Sequence, residues 1–298
     1  MKNQTHPSPA QAKPWPPPFT TSPKSPHTHT HTFVLLHGLG SNGDKFGHEL
    51  LETGLSTSQK NLADAFPGAK FTFPTAKTRR VTALKRSRIP AWFDTFSLAD
   101  RSLREDVQID GLVESAEYIR AIVREEVEKV PARNIVLGGL SNGCAMSLMV
   151  LLSLEFPIGA YVGMSGRLPF RKDVEDILRN ADATTDDVFG EEDALGEKSA
   201  ACQALEFVRD LLSLDSRDTE TGVSGAFLST PVFLGHGAKD DVVPSRFGEE
   251  AAGTLTSLGM DVTWKCYPEL GHWYQVPEEI DDILAFLTER LAHTISCD

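Results

Sequence analysis

The chain has 298 residues, a formal net charge of −13 and 40% apolar residues. Length and apolar fraction suffice for one sizeable α/β core. The acidic balance excludes a general nucleic-acid binder, whose phosphate contacts need a basic face. Proline, serine and threonine dominate residues 1–27, which reads as a disordered tail ahead of one domain over 28–298. The tail has no apolar h-region, so no signal peptide is expected, and no run of about 18 apolar residues offers a membrane span. The expected location is the cytoplasm. His27, His29 and His31 alternate into an apolar run and read as the start of a strand with one polar face. No carboxylate or further histidine completes a metal site there.

From Phe33 onward, short apolar runs that end at glycine or proline predict strands over 33–38, 70–74, 134–139, 159–165, 230–237 and 261–268. Helices are predicted between and after them. In 105–130, Ile109, Leu112, Val113, Ala116, Ile119, Val123 and Val127 repeat at three- and four-residue steps. Further helical segments are 143–155, 171–180, 199–214, 245–258 and 278–292. The alternation predicts an α/β fold with a mainly parallel sheet and helices on both faces, its chemistry beyond the carboxyl ends of the strands. Residues 167–229 separate consecutive strands by far more than a crossover needs. Phe207, Val208, Leu211, Leu212 and Leu214 make an apolar face there, and the segment is expected to cap the strand ends. Cys144, Cys202, Cys266 and Cys297 lack CxxC or CxH spacing and are expected to be reduced thiols rather than a zinc site. No cofactor is expected.

Chemistry concentrates at the strand ends. Gly139-Leu140-Ser141-Asn142-Gly143 is a G-x-S-x-G between a predicted strand and a predicted helix. Such a turn projects the serine hydroxyl, with free N–H groups of the helix start beside it. A serine needs a base, and His272 follows the last strand in "ELGHW". Between them in the chain, "HGAKDDVVP" places Asp240 and Asp241 after a strand, either of which could orient the histidine. The order Ser, Asp, His is that of α/β-hydrolases. In "LLHGLGSNG" (35–43) the backbone N–H of Leu39, with that of Asn142, would form an oxyanion hole. His37 is expected to order that loop.

Together, "LLHGLGSNG", "AWFD" (91–94), "GGLSNGCAMSL", "HGAKDDVVP" and "ELGHW" resemble the motifs of the acyl-protein thioesterase family, also called the phospholipase/carboxylesterase family of α/β-hydrolases. The resemblance covers about 33–166 and 230–292. It implies an α/β-hydrolase fold and a serine hydrolase of esters or thioesters, with S-acylated protein or lysophospholipid as implied substrates. The family's catalytic aspartate stands four residues before the proline, which selects Asp240 and makes Asp241 expendable. The implied triad is Ser141, Asp240 and His272. Asn142 stands where the family usually has glutamine. Two departures are the long 167–229 segment and the basic stretch 77–88, with Lys77, Arg79, Arg80, Lys85, Arg86 and Arg88 and no acid. The basic stretch reads as a solvated loop or as a rim attracting anionic substrate. Leu84, Ile89, Trp92 and Trp273 are candidate liners of an apolar substrate pocket, with Trp92 and Phe93 reading equally as plain core. The alternatives are a small-molecule carboxylesterase with a capped pocket and a non-catalytic hydrolase-fold receptor. The oligomeric state is not legible.

Overall fold

The computed structural model describes residues 14–185, 199–214 and 225–291. Strand β1 (Phe19–Thr21) precedes β2 (His31–Leu36), helices α1 (Gly43–Thr53) and α2 (Leu62–Ala65), and β3 (Ala69–Phe73). A hairpin of β4 (Thr78–Val81) and β5 (Ser87–Pro90) leads to α3 (Ile109–Val127) and β6 (Ile135–Leu140). Then come α4 (Asn142–Leu151), β7 (Ala160–Met164), α5 (Arg171–Thr185) and α6 (Ala200–Leu211). The chain closes with β8 (Val232–Gly237), α7 (Arg246–Ser257), β9 (Val262–Tyr267) and α8 (Glu278–Leu291).

Seven strands form one sheet in the order β1-β3-β2-β6-β7-β8-β9, parallel except for β1, which pairs antiparallel with β3. All six predicted strands are present. In β2 every residue is buried, so the expected polar face is absent. Alternation sends Phe33 and Leu35 to one core with Phe46, Leu50, Ile280 and Leu287, from α1 and α8. Val34 and Leu36 go to the other core with Leu112, Ile119, Met146 and Leu255, from α3, α4 and α7. A strand flanked by helices on both sides has no wet face.

Two expectations are corrected. Residues 1–13 lie outside the described residues, but 14–27 join the fold instead of forming a free tail. Phe19 of β1 packs on Phe73, and Trp15 stacks on Tyr118 with ring centroids 4.1 Å apart. Average composition hid two aromatic anchors among the prolines. The second correction concerns 167–229, of which 186–198 and 215–224 lie outside the described residues. Its described helices lie on the flank rather than over the strand ends. Leu205, Val208 and Leu212 enter the α3/α4 core, and Arg209 Nη1 donates to the Ser153 carbonyl at 2.9 Å. Ser153 lies past the end of α4, so by helical rise this anchor is roughly 15 Å from the Ser141 end. Helix α5 is tied to α7 through Arg171–Glu250 at 3.0 Å and Thr254–Glu175 at 2.6 Å. The apolar face of α6 is thus satisfied by the flank and has nothing left to place over the cleft.

Candidate active site

Ser141 sits between β6 and α4 with φ 57° and ψ −114°, in the positive-φ region that a residue with a Cβ rarely enters. Its neighbours make the turn sterically possible. A Cβ on Gly143 would fall on the carbonyl oxygens of Leu36 and His37, and one on Gly139 would lie 2.7 Å from Leu36 O. The sheet thus passes directly beneath the turn, and the strain is the local cost of projecting the hydroxyl.

His272 reaches this hydroxyl from the loop after β9, with Nε2 2.8 Å from Ser141 Oγ. Its Nδ1 lies 2.7 Å from Asp240 Oδ2. Asp240 is 6% exposed, whereas Asp241 is exposed and lines no part of the cleft. The other Asp240 oxygen accepts the N–H groups of Val242 at 2.9 Å and Val243 at 2.7 Å. His236 Nε2 lies between Asp240 Oδ2 at 3.1 Å and the Val243 carbonyl at 2.7 Å. Both are acceptors, so that nitrogen carries the proton and donates. Burial alone would raise the Asp240 pKa. The hydrogen bonds from His236, His272 and Val243 outweigh it and hold the carboxylate well below its usual range.

The loop after β2 is braced from several sides. His37 is fully buried, and burial lowers its pKa to about 4, against the opposing bond to Gly38. As a neutral ring it donates from Nδ1 to Gly38 O at 2.7 Å and accepts the Ala76 N–H on Nε2 at 3.0 Å. Trp92 Nε1 donates to His37 O at 2.9 Å, and Gly40 N donates to Pro90 O at 2.9 Å. A Cβ on Gly38 would lie 3.5 Å from Ser141 Cβ, so the loop runs against the serine. Asn142 Oδ1 accepts the Trp92 N–H at 3.0 Å, which ties the start of α4 to the same brace. The first N–H groups of a helix have no partner within it and stay available to an anion.

Gly38, Ser141, Asn142 and His272 line a cleft of about 240 Å³ with Leu39, Phe46, Phe93, Leu98, Leu140, Val243 and Trp273. Of the four predicted substrate contacts, only Trp273 is there, 40% exposed. Trp92 is fully buried and serves as a brace. Leu84 and Ile89 belong to the β4–β5 hairpin and do not line the cleft, although Ile89 lies beside Gly40. The basic stretch is that hairpin. Lys77 and Arg79 each pair with Glu114 at 2.6 Å, and Arg80, Lys85, Arg86 and Arg88 are exposed.

Arg101 and Arg167, which no sequence motif marks, also line the cleft. Arg167 follows the end of β7, a placement that could have flagged it. Arg101 lies in an irregular polar segment without any pattern. Arg167 is held by Glu105 at 3.1 Å and Gln108 at 2.8 Å. Burial lowers the Arg101 pKa to about 10, with Arg167 adding to the effect and Asp240 opposing it. Behind His272, Gln275 N donates to Glu279 Oε2 at 2.8 Å, anchoring the histidine loop to α8.

The family model for phospholipase/carboxylesterase matches residues 17–226 and 215–291. The chain belongs to the phospholipase/carboxylesterase family. Acyl-protein thioesterase 1 of Gibberella zeae is 30% identical over 267 residues, covering 88% of this chain and 92% of the relative. Acyl-protein thioesterase 1 of Yarrowia lipolytica is 28% identical over 266 residues, covering 88% and 93%. Among solved structures, Zea mays acyl-protein thioesterase 2 superposes with a TM-score of 0.61 at 27% identity, covering 92% of this chain and 98% of that one. Membership in the phospholipase/carboxylesterase family makes this chain an α/β-hydrolase-fold enzyme that hydrolyses esters or thioesters. No helix of the described residues is long and apolar enough to cross a membrane.

Proposed function

We propose that the chain is a serine hydrolase in which Ser141, His272 and Asp240 act as a triad on carboxylic esters or thioesters. The observation that carries this reading is the continuous chain of contacts from Ser141 Oγ to His272 Nε2, 2.8 Å, and from His272 Nδ1 to Asp240 Oδ2, 2.7 Å. Ser141 Oγ attacks the carbonyl carbon while His272 Nε2 takes its proton. The negative oxygen of the tetrahedral intermediate receives the N–H groups of Leu39 and Asn142. Collapse breaks the acyl–oxygen or acyl–sulfur bond, and the proton on His272 passes to the departing oxygen or sulfur, which leaves as the alcohol or thiol and returns His272 to its neutral form. Water, deprotonated by the same histidine, then releases the acid from Ser141. Asp240 keeps Nδ1 protonated and stabilises the imidazolium. The relatives named acyl-protein thioesterase support thioesters of acylated proteins as one substrate class.

A second reading, a carboxylesterase of small esters, is favoured by the cleft volume. At about 240 Å³ it falls below the roughly 300–1,000 Å³ usual for ligand pockets, which favours a short acyl group. A non-catalytic receptor would not need the three groups in register. The test is labelling by a fluorophosphonate probe together with hydrolysis of p-nitrophenyl esters of rising chain length. Ser141→Ala should abolish both, and full labelling of that variant would exclude Ser141 as the nucleophile.

A further inference from the structure

Arg101 is 8% exposed, yet no carboxylate of the described residues forms an ion pair with it. Its Nη2 donates to the Val242 carbonyl at 3.0 Å, while Nε is buried with no acceptor. A guanidinium has five N–H donors, and a buried cation ordinarily has a counter-ion. Here no described side chain supplies one in direct contact, and Asp240, engaged with His236 and His272, attracts Arg101 only at longer range.

The position of this charge says what could supply it. Arg101 and Arg167 line the cleft beside Ser141 and His272, and both also line an adjoining recess of about 360 Å³. Lys172 and Arg246 line that recess too. Two of its acids pair with arginines that also line it, Glu105 with Arg167 and Glu250 with Arg171, and Asp100 accepts from Ser102, so the recess has five bases to three acids. Arg101 therefore sits, without a direct ion-pair partner among the described residues, between an apolar acyl cleft and a recess lined by more bases than acids. We propose that Arg101 is a specificity-determining residue that binds an anionic group, carboxylate or phosphate, of the ester or thioester substrate while its carbonyl lies at Ser141. This rests on the serine-hydrolase reading above and names the substrate class of that same site. Arg167, already paired with Glu105, holds its guanidinium 5.9 Å from the Phe93 ring centre, and its charge repels that of Arg101.

Two matched pairs of substrates test it. Mono-p-nitrophenyl glutarate against p-nitrophenyl pentanoate places a carboxylate on the acyl half. Butyryl glycerol 3-phosphate against monobutyrin places a phosphate on the leaving group. The wild type should prefer the anionic member of at least one pair in kcat/KM, and the pair that shows the preference identifies the source of the charge. Arg101→Gln should reduce that anionic-to-neutral ratio by roughly 10- to 100-fold, the range for a charge-assisted hydrogen bond, and Arg101→Lys should restore some of it. The proposal is overturned if neither pair shows a preference. It is also overturned if the preference survives in Arg101→Gln, or if both members fall equally because only the Val242 bond was lost. Should Arg101→Gln not fold, glutarate and glycerol 3-phosphate are tested as competitive inhibitors of wild-type pentanoate hydrolysis. Salt-sensitive inhibition by either supports the site, and none by both overturns it. Hydrolysis of pentanoate retained by Ser141→Ala would instead refute the underlying catalytic assignment.

Discussion

Glu279 is a buried acid next to the histidine loop, and replacing it with glutamine tests how that loop is anchored. The side chain is fully buried, one oxygen accepts the Gln275 N–H, and the other has no partner among the described residues. Burial raises its pKa from 4.5 to about 8, against the opposing Gln275 bond. The folded pKa is therefore above the unfolded one. The folded state keeps a proton that the unfolded chain releases, so the stability it contributes is complete below about pH 4.5 and is lost as pH rises through 8. One pH unit in this window corresponds to about 1.4 kcal/mol, which amounts to about 3 kcal/mol by pH 7. Glu279→Gln keeps an acceptor for Gln275 and cannot ionise. Urea unfolding of both proteins at pH 5, 6, 7 and 8 should show the variant gaining on the wild type by about 1.4 kcal/mol per unit up to pH 7. The absolute offset also contains packing of the new amide beneath Gly235, so the slope carries the reasoning. A stability difference that stays constant across these pH values would refute it.

Other outcomes follow from contacts at the site. Asp240→Asn should lower kcat by about 10⁴-fold in a steady-state ester assay, because the amide favours the wrong histidine tautomer. Asp241→Asn, at an exposed position, should change it by less than about twofold, and the reverse ranking would move the acid by one residue. Gly143→Ala would press a methyl into the Leu36 and His37 carbonyls, lowering thermal stability by about 1–3 kcal/mol together with activity. Trp92→Phe leaves the His37 carbonyl without its donor, and about 1–3 kcal/mol of the bracing is lost. Its effect should be read in kcat more than in KM if the Leu39 loop supplies the proposed oxyanion hole, which serves the transition state.

The three groups of the candidate triad were legible because each sits in a short motif at the end of a strand, and strand ends are marked by local apolar runs. Family register chose Asp240 over Asp241. The contacts give that choice a physical basis, since only Asp240 meets His272 and the Val242 and Val243 amides. Trp92 reads equally as pocket liner or core, because a tryptophan in a motif looks the same whether it faces substrate or holds a neighbouring carbonyl, and it is the core reading that its burial supports. Arg101 left no trace in the sequence. Its meaning comes from burial without a direct ion pair among the described residues, and pairing across distant segments has no local pattern. The segment at 167–229 misled for a related reason. An amphipathic helix states that it has an apolar face, and the groove that receives it, beside the end of α4, belongs to distant stretches of the chain.

The β4–β5 hairpin divides into two halves with different tolerance to change. At its tip, the Lys85 and Arg86 side chains are exposed, so their chemistry is free to change within a turn closed by the Arg86 N–H on the Val81 carbonyl. At its base, the Pro90 carbonyl holds Gly40, and Arg79 is fixed to Glu114 and to the Ala91 carbonyl. Side-chain replacements or fluorophores at Lys85 and Arg86 should leave the enzyme intact, whereas a one-residue slip at the base would drag the Gly38–Gly40 loop with it. The hairpin is therefore both the chain's most editable surface near the site and, a few residues later, one of its least.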